Sequence, residues 1–279
     1  MREALKARIV ELIPQLAGRV YDLQSVPDPP PDTYAELSFG EAVWKSTWAG
    51  YRQIVCIQLH SLATQASERD AWAQLLMGGL HRQPLDDTGS SSVTLHYAGS
   101  RGAESVSGAT ERVVRTLRFA LYVPEAEAKG VGVSEDAWLA ALKGWTISQL
   151  DDTWRVYGDA WPEAMGSRAV LWRMTGSETR IPSASMYEVR KTFTGHVWAS
   201  NQRLEQATAS LLMEAISGAL QLPLDVDTRR YMSAQEIRAD WQTDSFLNGQ
   251  ISLTLAQRRM RPAEEAALIR RLYVHPNLK

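Results

Sequence analysis

One segment of this chain occurs twice at a fixed separation. AWAQLLM at 71–77 is followed 136 residues later by ATASLLM at 207–213. When the comparison is extended without gaps to 50–77 and 186–213, eight of 28 positions are identical, whereas ordinary composition would give about two. This period is far longer than that of a solenoid repeat. The repeat therefore predicts two copies of one domain in a single chain.

Other segments keep the same parallel. Arg-Val-Tyr at 19–21 matches Arg-Val-Tyr at 155–157 at the same offset. One small insertion then aligns two Pro-Leu-Asp segments, which end at Asp86 and Asp225. Matched spacing across separate elements is harder to obtain by chance than one shared helix, because alanine and leucine are common helix residues.

Composition places the boundary between the copies. Residues 124–138 combine proline, glycine and scattered charge, which is typical of a linker. Ser134 is a candidate N-cap for the helix that follows. The predicted domains are therefore 1–133 and 134–279, the second being a diverged copy that ends in a basic extension.

Each copy shows the same order of predicted elements. A helix with one apolar face comes first, followed by the Arg-Val-Tyr segment, a connector, strands, a second helix and a closing strand. Short loops between adjacent strands favour antiparallel pairing. The predicted fold class is α+β, two copies of a domain with a mainly antiparallel sheet covered by helices. In copy one we predict helices over 3–16 and 71–82 and strands over 34–39, 53–59, 93–97 and 116–123.

The composition excludes several classes of protein. Of 279 residues, 44% are hydrophobic and 22% charged, and no apolar run approaches the roughly 20 residues that a membrane helix needs. Cys56 is the only cysteine, which excludes an intrachain disulfide and a thiolate metal cluster. Residues up to Asp136 carry 13 basic and 17 acidic side chains, and the remainder carry 17 and 15. This mild asymmetry argues against general coating of nucleic acid, and synthesis in the cytoplasm fits the cysteine count.

No segment has the spacing of a known catalytic or cofactor motif. Cys56 and His60 are four residues apart on a predicted strand, about 13 Å, which is too far for proton transfer. Asp86-Asp87 and Asp151-Asp152 could ligate a metal, but such pairs are more typical of turns and helix caps. We predict no catalytic residue, no cofactor and no metal site.

Aromatic and basic residues are the candidates for partner contact. The chain has ten tryptophans, five of them between 138 and 172, and tryptophan fills cores or anchors subunit contacts. The polar insertion at 86–111 in copy one is a further place for contact. The terminal arginines are either a solvated helix face or a site for DNA or an acidic partner. The candidate contact residues are Trp44, Trp48, Arg101, Arg258, Arg259, Arg261, Arg270 and Arg271.

The first helix leads into Gly-Arg-Val-Tyr-Asp at 18–22, then a proline-rich loop, YAELSFGE and GYRQIVCIQLHS. This order resembles the tail terminator, or tail completion, proteins of long-tailed bacteriophages and phage-like particles. In that family a leading helix runs into a G-R-[VI]-[YF]-D segment, and a strand-rich middle precedes a helix and final strands. The likeness covers most of residues 1–125. Copy two keeps Arg-Val-Tyr but has Trp154 and Gly158 in place of the flanking glycine and aspartate, so it resembles a diverged second copy.

The resemblance implies a structural virion protein of the tail, assembled in the host cytoplasm, without catalysis or cofactor. Such proteins form a hexameric ring that caps the tail tube, stops its growth and joins it to the head-side connector. The implied partners are further copies of this chain, the tail tube protein and the connector protein, with no membrane and with DNA only passing through the lumen.

A tandem chain departs from the single-domain family members and leaves the stoichiometry open. A homohexamer would place copy one in the ring and copy two in an outer or stacked layer, whereas a trimer would imitate a six-membered ring. Divergence at 154–158 favours six chains. Two alternative functions remain: a non-catalytic adaptor of other origin that uses the tryptophans and terminal arginines, and an enzyme without a recognisable motif around His81, Asp86 and Asp87.

Overall fold

The computed structural model describes residues 1–86, 92–107, 112–124, 135–162 and 165–261. Within them the chain forms two six-stranded sheets with two α-helices each. The first unit contains α1 Arg2–Leu12, β1 Val20–Asp22, β2 Tyr34–Ser46, β3 Gly50–Leu62, α2 Ala66–Leu80, β4 Pro84–Asp86, β5 Ser92–Ser107 and β6 Arg112–Val123. The second contains α3 Ala137–Gln149, β7 Arg155–Gly158, β8 Arg168–Ser183, β9 Met186–Ala199, α4 Gln202–Gly218, β10 Leu222–Asp225, β11 Arg230–Ala239 and β12 Ile251–Met260. We call these units domain one and domain two.

The two sheets have the same strand order. Domain one has β1-β2-β3-β6-β5-β4, and domain two has β7-β8-β9-β12-β11-β10. In each sheet the short first strand pairs in parallel with the second strand, and the other pairs are antiparallel. Tyr51 and Tyr187 are the second residues of the matched strands β3 and β9, and Leu76 and Leu212 are buried in the matched helices. The predicted fold class, two copies of a mainly antiparallel α+β domain, is confirmed.

Side-chain alternation decides which face of each sheet the helices cover. Val55, Ile57 and Leu59 of β3 are almost fully buried beneath the helices, as their spacing predicts. Phe193 and Val197 of β9 take the same face in domain two. Each domain therefore has its own apolar core between one sheet face and two helices, and no helix of the described residues covers the other sheet face.

Helix boundaries follow local capping rules. Asp136 is the N-cap of α3, since its Oδ1 accepts hydrogen bonds from the N–H groups of Trp138 (2.9 Å) and Leu139 (3.3 Å). The prediction of Ser134 as this cap was wrong; Ser134 and the predicted boundary lie outside the described residues. The predicted helix over 3–16 is also shorter in the structure. It ends at Leu12, and a 3-10 turn takes over at Pro14, because proline disfavours a helical residue before it.

The segment that carries the family resemblance fastens α1 to the sheet. The Arg19 guanidinium donates to the Leu16 carbonyl (2.9 Å) at the end of the 3-10 turn. The Asp22 carboxylate accepts from Lys6 Nζ (2.8 Å) and Arg2 Nη1 (3.0 Å) on α1, and the Lys6 hydrogen bond holds the pKa of Asp22 below its usual value. The segment therefore stabilises the fold by joining α1 to the sheet.

Domain two keeps the arginine contact of this segment but not the aspartate contact. Arg155 donates to the Asp152 carbonyl (2.9 Å), as Arg19 does in domain one. Gly158 replaces the aspartate, and a Cβ at this position would lie 2.8 Å from a carboxylate oxygen of Glu135. Glu135 in turn pairs with Lys143 of α3. In domain two the carboxylate that pairs with the first helix therefore comes from Glu135, just before α3, and not from the strand. This compensates for the loss of the aspartate.

A second compensated exchange lies in the cores. Leu59 of β3 faces Ala35 of β2, whereas the matched residues in domain two are Gly195 and Trp172. A Cβ on Gly195 would lie 2.6 Å from the Trp172 ring, which is fully buried. The large and small residues have exchanged strands, and both cores remain filled.

This exchange predicts that Gly195→Ala destabilises the protein. The added methyl group forces the Trp172 ring out of place, and overpacking of this kind lowers the free energy of unfolding by about 1 to 3 kcal/mol. Gly144→Ala is the matched control, because a methyl group on Gly144 of α3 would have no neighbouring atom within 4 Å. That change should raise stability by about 0.5 to 1 kcal/mol. Urea unfolding measures both, and a neutral Gly195→Ala would contradict the packing.

Candidate functional site

Each sheet has two distinguishable ends. The tip end carries the turn of the first long hairpin, Ser46–Gly50 in domain one and Ser183–Met186 in domain two. The base end is the opposite one, where that hairpin begins and ends. The domains meet through the tip end of domain one and the base end of domain two. The apolar residues of this contact are Trp48, Ala49 and Tyr122 from domain one and Tyr157, Trp161, Met165, Ala169, Leu171, Trp198, Phe246 and Leu247 from domain two. We call this contact the seam.

Phe246 occupies the centre of the seam. Its ring lies 4.5 Å from Tyr122 of domain one and stacks on Trp161 at 5.1 Å, measured between centroids. His96 and Trp198 meet its ring at steeper angles, at 5.3 and 5.9 Å. Phe246 is 5% exposed, and the remaining cavity beside it has a volume of about 20 Å³. Aromatic side chains of both domains thus form a well-packed contact.

The loop that carries Phe246, Asp240–Gly249, has a fixed conformation. Asp244 Oδ1 accepts from the N–H groups of Phe246 (2.9 Å) and Leu247 (2.7 Å). Gly249 has φ of 78°, and a Cβ there would lie 2.6 Å from the Thr194 side chain, so glycine is required. These features hold the backbone that carries Phe246.

Tryptophan hydrogen bonds fasten the edge of the seam. Trp48 Nε1–H donates to the Leu247 carbonyl (2.9 Å), and the Trp48 carbonyl accepts from the Trp161 N–H (2.9 Å). Trp161 Nε1–H donates to the Phe246 carbonyl (3.2 Å). The Arg173 guanidinium lies 3.6 Å from the centroid of Trp48. Burial lowers the pKa of Arg173 to about 10, so this arginine remains charged at neutral pH.

An ion pair between described residues crosses the seam. Arg82, between α2 and β4, directs Nη1 to Glu205 Oε1 of α4 at 2.8 Å. Glu205 is 3% exposed, and the same oxygen accepts from the Ala199 N–H (3.1 Å) and the Ser245 hydroxyl (3.2 Å). Burial raises the pKa of the Glu205 carboxyl, and Arg82 opposes that rise. The residue of domain one matched to Glu205 is Arg69, so this buried position has reversed its charge between the copies.

Two histidines flank the seam, His96 from domain one and His196 from domain two; His196 is fully buried and His96 is half-buried. His196 accepts from Arg173 Nε at its Nε2 (2.9 Å), so its Nδ1–H donates to the Ser245 carbonyl (2.9 Å). These bonds require the neutral ring, because a proton on Nε2 would face the Arg173 cation. Burial lowers the pKa of both His196 and His96 to about 3, with Arg173 and Arg82 adding to the effect.

These histidines predict loss of stability in mild acid. A histidine with a folded pKa below its unfolded value of about 6.5 stabilises the protein above pH 6.5, and this contribution is lost as pH falls from 6.5 towards 3. Each histidine should contribute a slope of about 1.4 kcal/mol per pH unit in that window. His60 of domain one, with a pKa lowered to about 4 by burial, acts in the same direction. Urea unfolding between pH 7.5 and 5.5 tests this; the carboxyl of Glu205, whose pKa is raised by burial, contributes with the opposite sign.

His96→Phe is the matched variant for this measurement. Phenylalanine keeps the ring packing and removes one titrating group. The change in the free energy of unfolding with pH should therefore fall by the contribution of one histidine. A wild-type free energy of unfolding that is flat over this pH range would contradict the neutral, buried state of these rings.

The predicted contact residues do not gather in one place. Trp48 is part of the seam, so its partner is the second domain of the same chain. Trp44 is 51% exposed and lies opposite Tyr51 on the other side of the tip end. Arg258, Arg259 and Arg261 lie at the tip end of domain two. The side chain of Arg101, and the whole of Arg270 and Arg271, lie outside the described residues.

The residues considered for chemistry have other surroundings. Cys56 is half-buried on the helix-free face of sheet one and not in the core. His81 accepts from the Tyr97 N–H at Nδ1 (2.9 Å). Asp151 Oδ1 accepts from the Thr153 N–H (2.9 Å), as a turn residue does. The side chain of Asp86 and all of Asp87 lie outside the described residues.

His60 and His196 are matched by the repeat but have different surroundings. His60 stacks on Tyr34 at 4.2 Å, whereas His196 is hydrogen-bonded within the seam. In the part of the chain that is described, no cluster of three or more histidine, cysteine, aspartate or glutamate side chains is arranged to hold a metal ion. No described helix has the length and apolar character needed to cross a membrane.

Sequence reasoning missed most of the seam. Phe246, Trp198, His96, Arg82 and Glu205 carry no motif. One signal was available: Phe246 and Leu247 are an apolar pair between Asp-Ser and Asn-Gly, in a loop whose other residues are polar apart from Trp241 and Gly249. The five tryptophans between 138 and 172 divide between two sites, with Trp161 in the seam and the others in or against the core of domain two.

Comparison with known proteins gives little direct guidance. No protein-family model and no curated protein matches the chain. Among solved structures it is similar to one chain of the virion of a native gene transfer agent particle, with 20% identity over 43% of this chain and 95% of that chain. The TM-score is 0.34, and a likeness at that level defines neither the fold nor the function of this chain.

Proposed function

We propose that this chain is a structural, non-catalytic virion protein of a phage-like tail. In this proposal it acts as a tail terminator, forming a ring that caps the tail tube and joins it to the head-side connector. The observation that carries the proposal is the seam: two domains of one topology are joined through unlike ends, the tip of one to the base of the other.

A contact of this kind suits ring formation. Joining like units through unlike surfaces leaves one tip and one base unused, so the same type of contact can continue from chain to chain. Such a series either closes into a ring or grows as a filament. If both domains were joined through the same end, for example tip to tip, both copies of that end would be used within one chain. The same type of contact could then not continue to the next chain. The order of elements at 1–125, which resembles the tail terminator proteins, supports the ring.

The shared location of the buried polar groups also supports an assembly role. His196, Arg173, Glu205 and Arg82 all contact groups of the seam or of the loop that fills it. The shifted pKa values of His196, Arg173 and Glu205 follow from burial in a contact and are explained without a substrate. Three tryptophan rings in the same seam are typical of surfaces that hold domains or subunits together.

The test is capping of tail tubes. The tail tube protein encoded beside this chain would be purified and allowed to polymerise with and without the chain, and tube lengths would be measured by electron microscopy. A tail terminator shortens the tubes and leaves a ring at one end. Tubes of unchanged length, without this chain bound at an end, would leave the adaptor of other origin as the better hypothesis.

A further inference from the structure

Among the described residues, the seam leaves one end of each domain without a partner. The tip of domain one and the base of domain two cover each other, which leaves the tip of domain two and the base of domain one. The unused tip is rich in exposed apolar side chains. Ile181 is 64% exposed in β8, and Met260, opposite Met186 at the end of β12, is 71% exposed. At the used tip, by contrast, Ala49 is fully buried.

The unused ends also carry opposite charge. At the tip of domain two, Arg229, Arg259 and Arg261 form no ion pair with any described residue, while neighbouring Arg258 and Arg230 are paired within the domain. Arg261 lies beside the tip turn, since its N–H donates to the Ser185 carbonyl (2.9 Å).

The base of domain one is acidic. Asp28 lies in the proline-rich loop, and Glu68 in the first turn of α2; both are exposed and form no ion pair among the described residues. Asp32 is 75% exposed, with Arg112 at 3.7 Å. The whole chain shows the same difference, since residues up to Asp136 have four more acidic than basic side chains and the rest have two more basic than acidic.

We infer that the tip of domain two binds the base of domain one in a second copy of this chain. Like the seam, this contact between chains joins a tip to a base. Its centre consists of exposed apolar residues in place of the aromatic rings of the seam, and complementary charges surround them. Domains one and two then alternate around the ring. This inference rests on the proposed function for the number of domains, because the resemblance to tail terminators implies a ring of six units. Three chains supply six domains, in place of the six chains that divergence at 154–158 favours.

Three chains and six chains differ in mass. A trimer of 31.1 kDa chains has a mass of about 93 kDa and a hexamer about 187 kDa. Sedimentation of the purified full-length chain should give the trimer, with weaker association as salt rises, because the exposed charges are screened. A hexamer would overturn the inference and leave the proposed ring intact. A monomer at all concentrations would overturn both.

Charge exchange tests which surfaces are used. Arg259→Glu with Arg261→Glu should give monomers at the concentration where the wild type is trimeric, and Asp28→Lys with Glu68→Lys should do the same. All four substitutions in one chain should restore the trimer, because the charges are complementary again. Failure of the fourfold variant to recover, while its circular dichroism and melting temperature match those of the wild type, would overturn the inference.

Two further variants complete the design. Arg203→Glu with Arg238→Glu reverses two exposed arginines away from the unused tip and should leave the trimer unchanged. Ile181→Asp removes the apolar part of the surface on an exposed side chain, so it should lower the association constant at least tenfold without loss of fold. Equal association of Ile181→Asp and wild type would contradict the assigned surface.

Discussion

Replacement of Phe246 by alanine is expected to lower the free energy of unfolding by about 3 to 5 kcal/mol, the range measured for large aromatic residues in cores. The ring fills the centre of the seam, in contact with Tyr122 of domain one and with Trp161 and Trp198 of domain two. Because the loop around Phe246 is held by its own hydrogen bonds, it has little freedom to collapse into the space. We also expect the domains to become uncoupled, so that urea unfolding followed by tryptophan fluorescence changes from one transition to two.

Phe246→Leu is the control for this experiment. Leucine fills much of the same volume, so the loss should be about 1 kcal/mol and the single transition should remain. A Phe246→Ala protein that unfolds in one transition at the wild-type midpoint would show that the aromatic seam does not hold the domains together.

Replacement of Arg82 by alanine should have an effect of similar size. It leaves the Glu205 carboxylate buried without its cation, and removal of one partner from a buried pair costs about 3 to 5 kcal/mol. The loss has a defined pH dependence. Without Arg82 the pKa of Glu205 rises further, and a carboxyl with a raised folded pKa gives stability that increases as pH falls. The difference between wild type and variant should therefore be largest near pH 8 and shrink towards pH 5.

Two further variants separate charge from packing at this site. Glu205→Gln keeps an oxygen for the Ala199 N–H and the Ser245 hydroxyl, so it should cost less than Arg82→Ala. Arg82→Leu combined with Glu205→Leu removes both charges and should also cost less than the single loss of Arg82. If Arg82→Ala is the mildest of the three, the pair does not stabilise the contact.

The fold was largely predictable from local patterns in the sequence. Alternation placed Val55, Ile57 and Leu59 on the covered face of the sheet, because a side chain on a strand has only two directions. The repeat extended the same arrangement to domain two, where Phe193 and Val197 repeat it. The parallel pairs of β1 with β2 and of β7 with β8 were not predicted, since β1 and β7 are too short to show a side-chain pattern.

The seam was not predictable in the same way. A contact between domains depends on how whole sheets are placed, and neither alternation nor helical spacing reports that placement. The two copies also build their ends differently: Phe246 and Trp161 lie in loops of domain two that share no sequence with the matched loops of domain one. Of the seam residues, only Trp48 was among the predicted contact residues, and composition gave no means of telling a contact within the chain from one between chains.

The most direct test of the central claim, that like domains join through unlike ends and continue into a closed ring, is electron microscopy of the purified chain. Class averages viewed along the axis should show closed rings of six similar lobes with threefold symmetry, each pair of lobes being one chain. Separate two-lobed particles, or paired chains related by a twofold axis, would contradict the account.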